Sequence, residues 1–256
     1  MSVCESCPWG LRARVKSIAV SMMGLFFRRL LMPLSALNAV PNGGCRYSGD
    51  YHDGKAVYYY DDSSDGRIYN GSFRFSRKYY VLPQGKVVET AIGCFAGDMK
   101  EGEWRFSKKS RDVKSVLTVE YAAGLRSGCY SYRSVCSSRA FVSGGSDILL
   151  RMRVENNHPV DAVECVFDYG RLTGGYDSEG RPDGSWTLVP VKKGGTKTYY
   201  EVWEHGECRS SYAYDNSTGR KVEARQSMPE LVAGIVRREC LSLEKIMFKG
   251  AYKFVF

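Results

Sequence analysis

The side chains that could perform chemistry in this sequence are few and are not grouped. Its three histidines, His52, His158 and His205, have no cysteine or aspartate at the spacing of a metal-binding motif. Cys4 and Cys7 have the CxxC spacing, but a second such pair and a βαβ context are both missing. The sequence therefore predicts neither a metal site nor a cofactor site.

Motifs of the common hydrolases and nucleotide-binding enzymes are also missing. No G-x-S-x-G occurs, and the segment 194–198 (GGTKT) lacks the first glycine and the following helix of a phosphate-binding loop, so we expect a hairpin turn there. Carboxylates occur singly along predicted strands, at Glu101, Glu103, Glu164 and Asp168. We therefore expect no catalytic residues, although two of these carboxylates could still meet in the fold.

Composition points to many short strands joined by tight turns. The 256 residues include 27 Gly and 18 Tyr, and these residue types favour turns and pleated surfaces respectively. The net charge is +9, of which four charges lie in residues 1–45 and four in residues 220–256. Charge gathered at the two ends of a chain does not favour nucleic-acid binding by the region between them.

Residues 1–45 differ from the rest of the chain. If translation starts at Met22 or Met23, the segment MGLFFRR gives a basic n-region and residues 30–37 (LLMPLSAL) a short apolar h-region, as in an export leader. Cleavage would follow near Ala39, or at Cys45 in a lipoprotein variant. The alternative is an amphipathic helix packed on the sheet. A leader predicts a periplasmic, cell-envelope or secreted protein, and its absence a cytoplasmic one.

Alternation of apolar and polar residues predicts an antiparallel β domain over residues 46–219. Its clearest stretch is Ile92–Tyr132, which reads as four strands and three turns, with the turns at 97–102, 108–112 and 122–128. Residues 220–256 change character. A capping box at Ser227 and Glu230 predicts a helix over 228–239, and alternation over 246–256 predicts a final strand.

A glycine–aromatic signature recurs along this β domain. Its best copies are Phe95–Trp104 (FAGDMKEGEW) and Tyr176–Trp186 (YDSEGRPDGSW), and weaker ones lie at Tyr51–Gly54, Tyr121–Gly128 and Trp203–Gly206. The signature resembles MORN repeats, and the better copies are similar to bacterial MORN-variant proteins, some of which carry an antitoxin label. The resemblance covers residues 46–214. It implies a scaffold of β-hairpins that contacts proteins or a membrane surface, and it implies no catalytic residues.

The irregular spacing of these copies predicts one long, curved, single-layer antiparallel meander. Its aromatic residues have two interpretations: they pack on one another or under the C-terminal helix, or they are exposed and bind a ligand or partner. Exposed Trp104 and Trp186 would favour the second. The candidate interaction or structural aromatics are Tyr51, Phe95, Trp104, Tyr130, Tyr176, Trp186 and Trp203.

Three functions remain open at this point. We expect an exported, non-enzymatic scaffold that presents an aromatic-rich sheet to a protein partner or a membrane surface. A cytoplasmic, antitoxin-like interaction protein with the same fold is the first alternative. A secreted carbohydrate-binding or carbohydrate-active protein is the second.

Overall fold

The computed structural model describes residues 42–82, 84–136, 147–190, 197–224 and 227–247, and these form a single antiparallel sheet with one helix. Fourteen strands follow one another in chain order, each hydrogen-bonded to the next. The predicted all-β meander is confirmed. The proposed leader and the proposed final strand after residue 247 lie outside the described residues.

The strands are β1 Cys45–Tyr51, β2 Gly54–Ser63, β3 Gly66–Val81, β4 Gly85–Ala96, β5 Met99–Lys109, β6 Val113–Ala122, β7 Leu125–Cys136, β8 Ile148–Glu155, β9 His158–Phe167, β10 Gly170–Tyr176, β11 Gly184–Pro190, β12 Lys197–Glu204, β13 Glu207–Asp215 and β14 Lys221–Glu223.

One row of side chains on one face of the sheet is apolar across the whole width of the sheet. Side chains alternate between the two faces of a strand, so residues paired across strands form rows on one face. The row that crosses the middle of the sheet is buried along most of its length, and we call its side of the sheet the inner face. Its members are Gly49, Ala56, Phe75, Ala91, Phe106, Leu117, Tyr132, Leu150, Cys165, Leu172, Leu188, Tyr199, Ala213 and Val222.

The neighbouring row, on the outer face, is mostly polar. It contains Arg74, Arg105 and Arg151 together with serines and threonines, all exposed or half-buried. In a half-covered antiparallel sheet the polar side faces water, so this alternation sets the register of every strand.

The C-terminal helix runs over Met228–Met247 and covers the inner face. It is α-helical over Met228–Ile235, π-helical over Val236–Cys240, α-helical over Leu241–Glu244 and 3₁₀-helical over Lys245–Met247. Twenty helical residues span about 30 Å, which is about six inter-strand spacings, the separation of β5 from β11. The helix accordingly begins beside β11 and β12 and ends beside β4 and β5.

The helix is longer than the predicted 228–239, and Ile246 is buried within it rather than opening a strand. The π-helical turn explains the error. Buried residues follow at three- and four-residue spacing up to Ile235, but the next one is Cys240, five residues on. One extra residue in that turn keeps Cys240 and Leu243 on the sheet-facing side.

Tight turns join alternate strands at one end of the sheet. Gly97 and Asp98 both have positive φ, of 55° and 65°, as type I′ hairpin turns require, and Ala123–Gly124, Asn156–Asn157 and His205–Gly206 share this geometry. The second residue of each turn donates its N–H to the carbonyl of a preceding strand or turn. The turns predicted at 97–102 and 122–128 are therefore too wide, because Gly102 and Gly128 lie inside strands.

Candidate functional site

The two tryptophans that anchor the best signature copies are fully buried. Trp104 and Trp186 are both 0% exposed on the inner face. Trp104 packs against Gly93 and donates its Nε1–H to the carbonyl of Cys94 at 2.9 Å. Trp186 packs against Gly174 in the same way. Neither indole is accessible to a ligand or partner, so these two residues act as packing elements.

The two indoles differ in whether the Nε1–H group has a hydrogen-bond acceptor. The backbone carbonyl that corresponds to that of Cys94 belongs to Gly175, and it already accepts the N–H of Asp183 at 3.0 Å. The Nε1–H of Trp186 has no acceptor within the described residues. The ring of Trp186 meets that of Tyr176 edge-on, at 5.3 Å between centroids.

The other candidate aromatics divide into buried and half-buried groups. Phe95 and Tyr130 are buried, and the Tyr130 hydroxyl donates to Glu244 of the helix at 3.3 Å. Tyr51, Tyr176 and Trp203 are half-buried. The aromatic residues therefore pack mainly on one another and under the C-terminal helix, which is the first of the two interpretations.

The aromatic inner face remains partly accessible at β1–β3. Tyr47, Tyr51, Tyr60 and Tyr69 are half-buried there, around the buried ring of Tyr58. Tyr47 stacks on Tyr58 at 4.8 Å between centroids, and Tyr69 meets the same ring edge-on at 4.8 Å. We call these four half-buried residues the tyrosine face. Of them, Tyr51 alone was among the sequence candidates.

An arginine lies over the tyrosine face. The exposed guanidinium of Arg67 is 4.6 Å from the centroid of the Tyr60 ring and 5.8 Å from that of Tyr47. Burial, followed by the hydrogen bond between the Tyr69 and Tyr51 hydroxyls, raises the pKa of Tyr69 well above its usual value. The Tyr69 hydroxyl donates to the hydroxyl of Tyr51 at 3.5 Å.

A polar cluster holds the helix to the centre of the sheet. Glu244, on the helix, accepts hydrogen bonds from the Tyr121 hydroxyl at 3.0 Å and from Arg126 at 2.8 Å, in addition to the one from Tyr130. Nearby, the ammonium of Lys100 lies 4.7 Å from the centroid of the Tyr121 ring, and burial lowers the pKa of Lys100 to about 8. Three donors on one carboxylate make this cluster a structural latch.

A groove of about 340 Å³ lies beside the first half of the helix and is lined mainly by apolar side chains of β8, β9 and the helix. Tyr130 and Tyr176 contribute to its wall. The two arginines of the groove are already engaged, Arg126 with Glu244 and Arg237 with Glu230. We therefore interpret the groove as space between packed elements, with no charged group left to orient a ligand.

Three of the four carboxylates considered in the sequence form structural hydrogen bonds or ion pairs. Glu101 accepts the N–H of Ala123, Glu164 pairs with two arginines, and Asp168 accepts the N–H of Asp147. Glu103 lies directly opposite Glu120, and burial together with that neighbouring charge raises the pKa of Glu103. Within the described ranges, no three His, Cys, Asp or Glu side chains are placed to hold a metal ion.

The hairpin tips of β3–β4 and β5–β6 carry exposed lysines on the outer face. Lys109 lies directly opposite Lys114, and Lys78 belongs to the same row through Val88. Lys86 lies close by, and no ion pair within the described residues neutralises these four lysines. We call them the basic edge. Tyr80 and Leu82, which are 80% and 95% exposed, lie at the same tips.

The described part of the chain has no helix that is both long enough and apolar enough to cross a lipid bilayer. No protein-family model matches the sequence, and no curated protein is significantly similar to it.

Proposed function

We propose that this chain is a non-enzymatic β scaffold whose tyrosine face binds a protein partner. The observation that carries this proposal is the contrast in burial along one aromatic face: Trp104 and Trp186 are inaccessible under the helix, whereas the tyrosines of β1–β3 keep part of their rings in solvent. The resemblance to MORN repeats supports the same reading.

The chemistry of the tyrosine face suits a protein more than a sugar. Tyrosine and arginine are enriched among the residues that dominate binding energy at protein interfaces. The rings are already held by one another, since Tyr51 meets Phe73 edge-on at 5.8 Å and Tyr69 meets Phe95 at 5.4 Å. A partner would therefore immobilise few side chains. Carbohydrate binding by stacking on tryptophan is not favoured, because both signature indoles are buried.

Affinity purification from the native host tests the proposal when variants are compared quantitatively. We expect Tyr60→Ala and Arg67→Ala to lose the same captured protein that the unaltered chain retains. Tyr214→Ala is the matched control, because Tyr214 is 41% exposed but lies on the outer face of β13. Equal capture by all variants would reject the tyrosine face as the binding surface, and glycan-array binding that depends on Tyr60 would replace the protein partner with a sugar.

The compartment is a separate part of the proposal. We infer export from the leader pattern in residues 22–45, and the cytoplasmic, antitoxin-like protein is the alternative with the same fold. N-terminal sequencing of the protein from its host separates them. A mature terminus near Val40 or at Cys45 supports export, and an intact Met1 contradicts it.

Contact with a membrane surface is a second candidate function, and the basic edge favours it. Like charges directly opposite each other destabilise a sheet, so the pairing of Lys109 with Lys114 would be relieved by an anionic surface. Leu82 and Tyr80 could enter the headgroup region beside the lysines. Co-sedimentation with phosphatidylserine vesicles should be lost in Lys109→Glu and retained in Lys197→Glu, whose exposed side chain lies at the far end of the sheet. Binding to phosphatidylcholine vesicles but not to phosphatidylserine vesicles would contradict an electrostatic contact.

A further inference from the structure

The two edges of the sheet differ in how open they are. β14 is a short edge of three residues, Lys221–Glu223, and two of them are charged. β1 is a regular strand of seven residues with no strand paired to its outer side within the described residues. Proteins usually protect sheet edges by shortening or charging them, because an open edge can pair with another strand. β1 is therefore the edge available for strand addition.

The chain that enters β1 does not run along this open edge. The N–H of Gly43 donates to the carbonyl of Asn70 at 2.9 Å, and that of Ser72 donates to the side chain of Asn42 at 3.0 Å. Residues 42–44 therefore cross β2 towards β3 before β1 begins. The described approach to β1 lies on the opposite side of the strand from its free backbone groups.

The sequence of β1 is complementary to itself in one antiparallel register. With Ser48 opposite Ser48 of a second copy, Arg46 lies opposite Asp50, and the same pair forms again on the other side of the two-fold axis. Arg46, Ser48 and Asp50 are all exposed on the outer face, and neither Arg46 nor Asp50 forms an ion pair within the described residues. Opposite charges facing each other across strands stabilise such a pairing.

The inner face of β1 fits the same register. Tyr47 would lie opposite Gly49 of the second copy. This sheet already places an aromatic ring against a glycine of the adjacent strand where Trp104 lies on Gly93, Trp186 on Gly174 and Phe75 on Gly54. Within one copy the Tyr47 ring already lies over Gly49 of its own strand, where a Cβ would be 2.8 Å from the Tyr47 hydroxyl oxygen, so no side chain at residue 49 separates the two Tyr47 rings from the paired strands.

We propose that β1 pairs with β1 of a second copy, with Ser48 on the two-fold axis, so that two fourteen-stranded sheets become one continuous sheet. A two-fold axis perpendicular to the sheet places both inner faces on the same side. The two tyrosine faces then become a single surface centred on the axis. This dimer does not depend on the proposed partner, because it uses backbone groups and outer-face charges of β1.

Charge exchange tests the register. Analytical ultracentrifugation of the full chain should show a dimer, and Arg46→Asp or Asp50→Arg alone should raise its dissociation constant about tenfold, because each single change places like charges opposite each other twice. The double variant Arg46→Asp/Asp50→Arg should restore dimerisation. A monomer at every concentration, or a double variant no better than the single ones, would overturn the proposal.

Cross-linking tests the position of the axis. Ser48→Cys should form a covalent dimer on mild oxidation or with a short bis-maleimide, with residue 48 joined to residue 48 in the peptide map. Ser64→Cys, exposed in the β2–β3 turn, is the control and should not. The unaltered chain gives the background from its own nine cysteines. Linkage of residue 48 to any other position would exclude the self-paired register.

The outcomes distinguish the dimer from the proposed function. An unaltered chain that is monomeric at every concentration and still captures its partner leaves the scaffold proposal standing and removes the dimer. A dimer that survives Tyr60→Ala while partner capture is lost supports both.

Discussion

The indole ring of Trp104 lies so close to Gly93 on the adjacent strand that a Cβ at residue 93 would be 2.2 Å from the ring. Gly174 has the same relationship to Trp186, at 2.1 Å. The chain thus places a very large side chain on one strand against a missing side chain on the next. This pairing allows the sheet to bury an indole under the helix without separating the strands.

Gly93→Ala should therefore destabilise the protein by about 1–3 kcal/mol, the usual cost of overpacking a filled core. The added methyl group cannot fit unless Trp104 moves, and Trp104 is also held by its hydrogen bond to Cys94. Urea unfolding followed by tryptophan fluorescence measures the change. Gly44→Ala is the control, because the nearest atom to a Cβ there is a side-chain oxygen of Asp61 at 3.7 Å. Equal unfolding midpoints for the two variants would contradict this account of Gly93.

The meander was predictable because strand alternation is a local property. Each strand between Ile92 and Tyr132 carries its own apolar–polar pattern, and β4 to β7 lie where that pattern predicted four strands. Short turns made antiparallel neighbours the expected arrangement, since consecutive strands usually pair. The sequence therefore contained the order of the strands without any information from distant residues.

The accessible surface was not predictable in the same way, because it depends on where the helix lies across the sheet. Trp104 and Tyr51 belong to similar glycine–aromatic patterns, yet one is buried and the other only half-buried. Alternation identifies the inner face but does not show which strands the helix covers. The π-helical turn at Val236–Cys240 extends that cover towards β4, and a regular heptad or 3.6-residue pattern does not reveal it.

The latch at Glu244 should account for much of the docking of the helix. Glu244→Gln leaves Arg126 without its charged partner, and breaking a buried ion pair in this way costs about 3 kcal/mol, at the low end because Arg126 retains some exposure. We expect a lower free energy of unfolding and faster tryptic cleavage after the exposed Arg237 and Arg238.

Glu230→Gln provides the comparison for this change. Glu230 pairs with Arg237 at 2.9 Å, but both side chains are more than 60% exposed, so the loss should be within about 0.5 kcal/mol. If the two variants cost the same, Glu244 does not act as a latch.

Lys100 should make part of the stability depend on pH. Its pKa is lowered to about 8 by burial, whereas an unfolded lysine titrates at ~10.4. Between these values the unfolded chain binds more protons than the folded chain, so the contribution of this group to stability rises with pH. Below about pH 8 Lys100 is charged in both the folded and the unfolded state, so burial of the charge destabilises the folded state by its full amount.

The difference between the unaltered chain and Lys100→Met isolates this effect. Such a comparison is needed because burial raises the pKa of the Cys165 and Cys240 thiols to about 12, which gives the opposite slope at alkaline pH. Urea midpoints should favour Lys100→Met at neutral pH, and that advantage should shrink as the pH approaches ~10. An advantage that does not change with pH would show that burying the charged form of Lys100 does not destabilise the folded state.

The folded protein should be more stable without one of the lysines of the basic edge. Lys109 and Lys114 face each other directly across β5 and β6, so Lys114→Glu replaces a repulsive cross-strand pair with an attractive one and should raise the free energy of unfolding by about 0.5–1 kcal/mol. Thermal or urea unfolding at low and high salt measures this, and the gain should decrease in high salt because both side chains are exposed. Lys114→Gln should give about half of the gain. The same variant that gains stability should also lose affinity for phosphatidylserine vesicles if the basic edge contacts membranes. Gain of stability with unchanged vesicle binding would separate the two effects and leave the repulsion without a functional role.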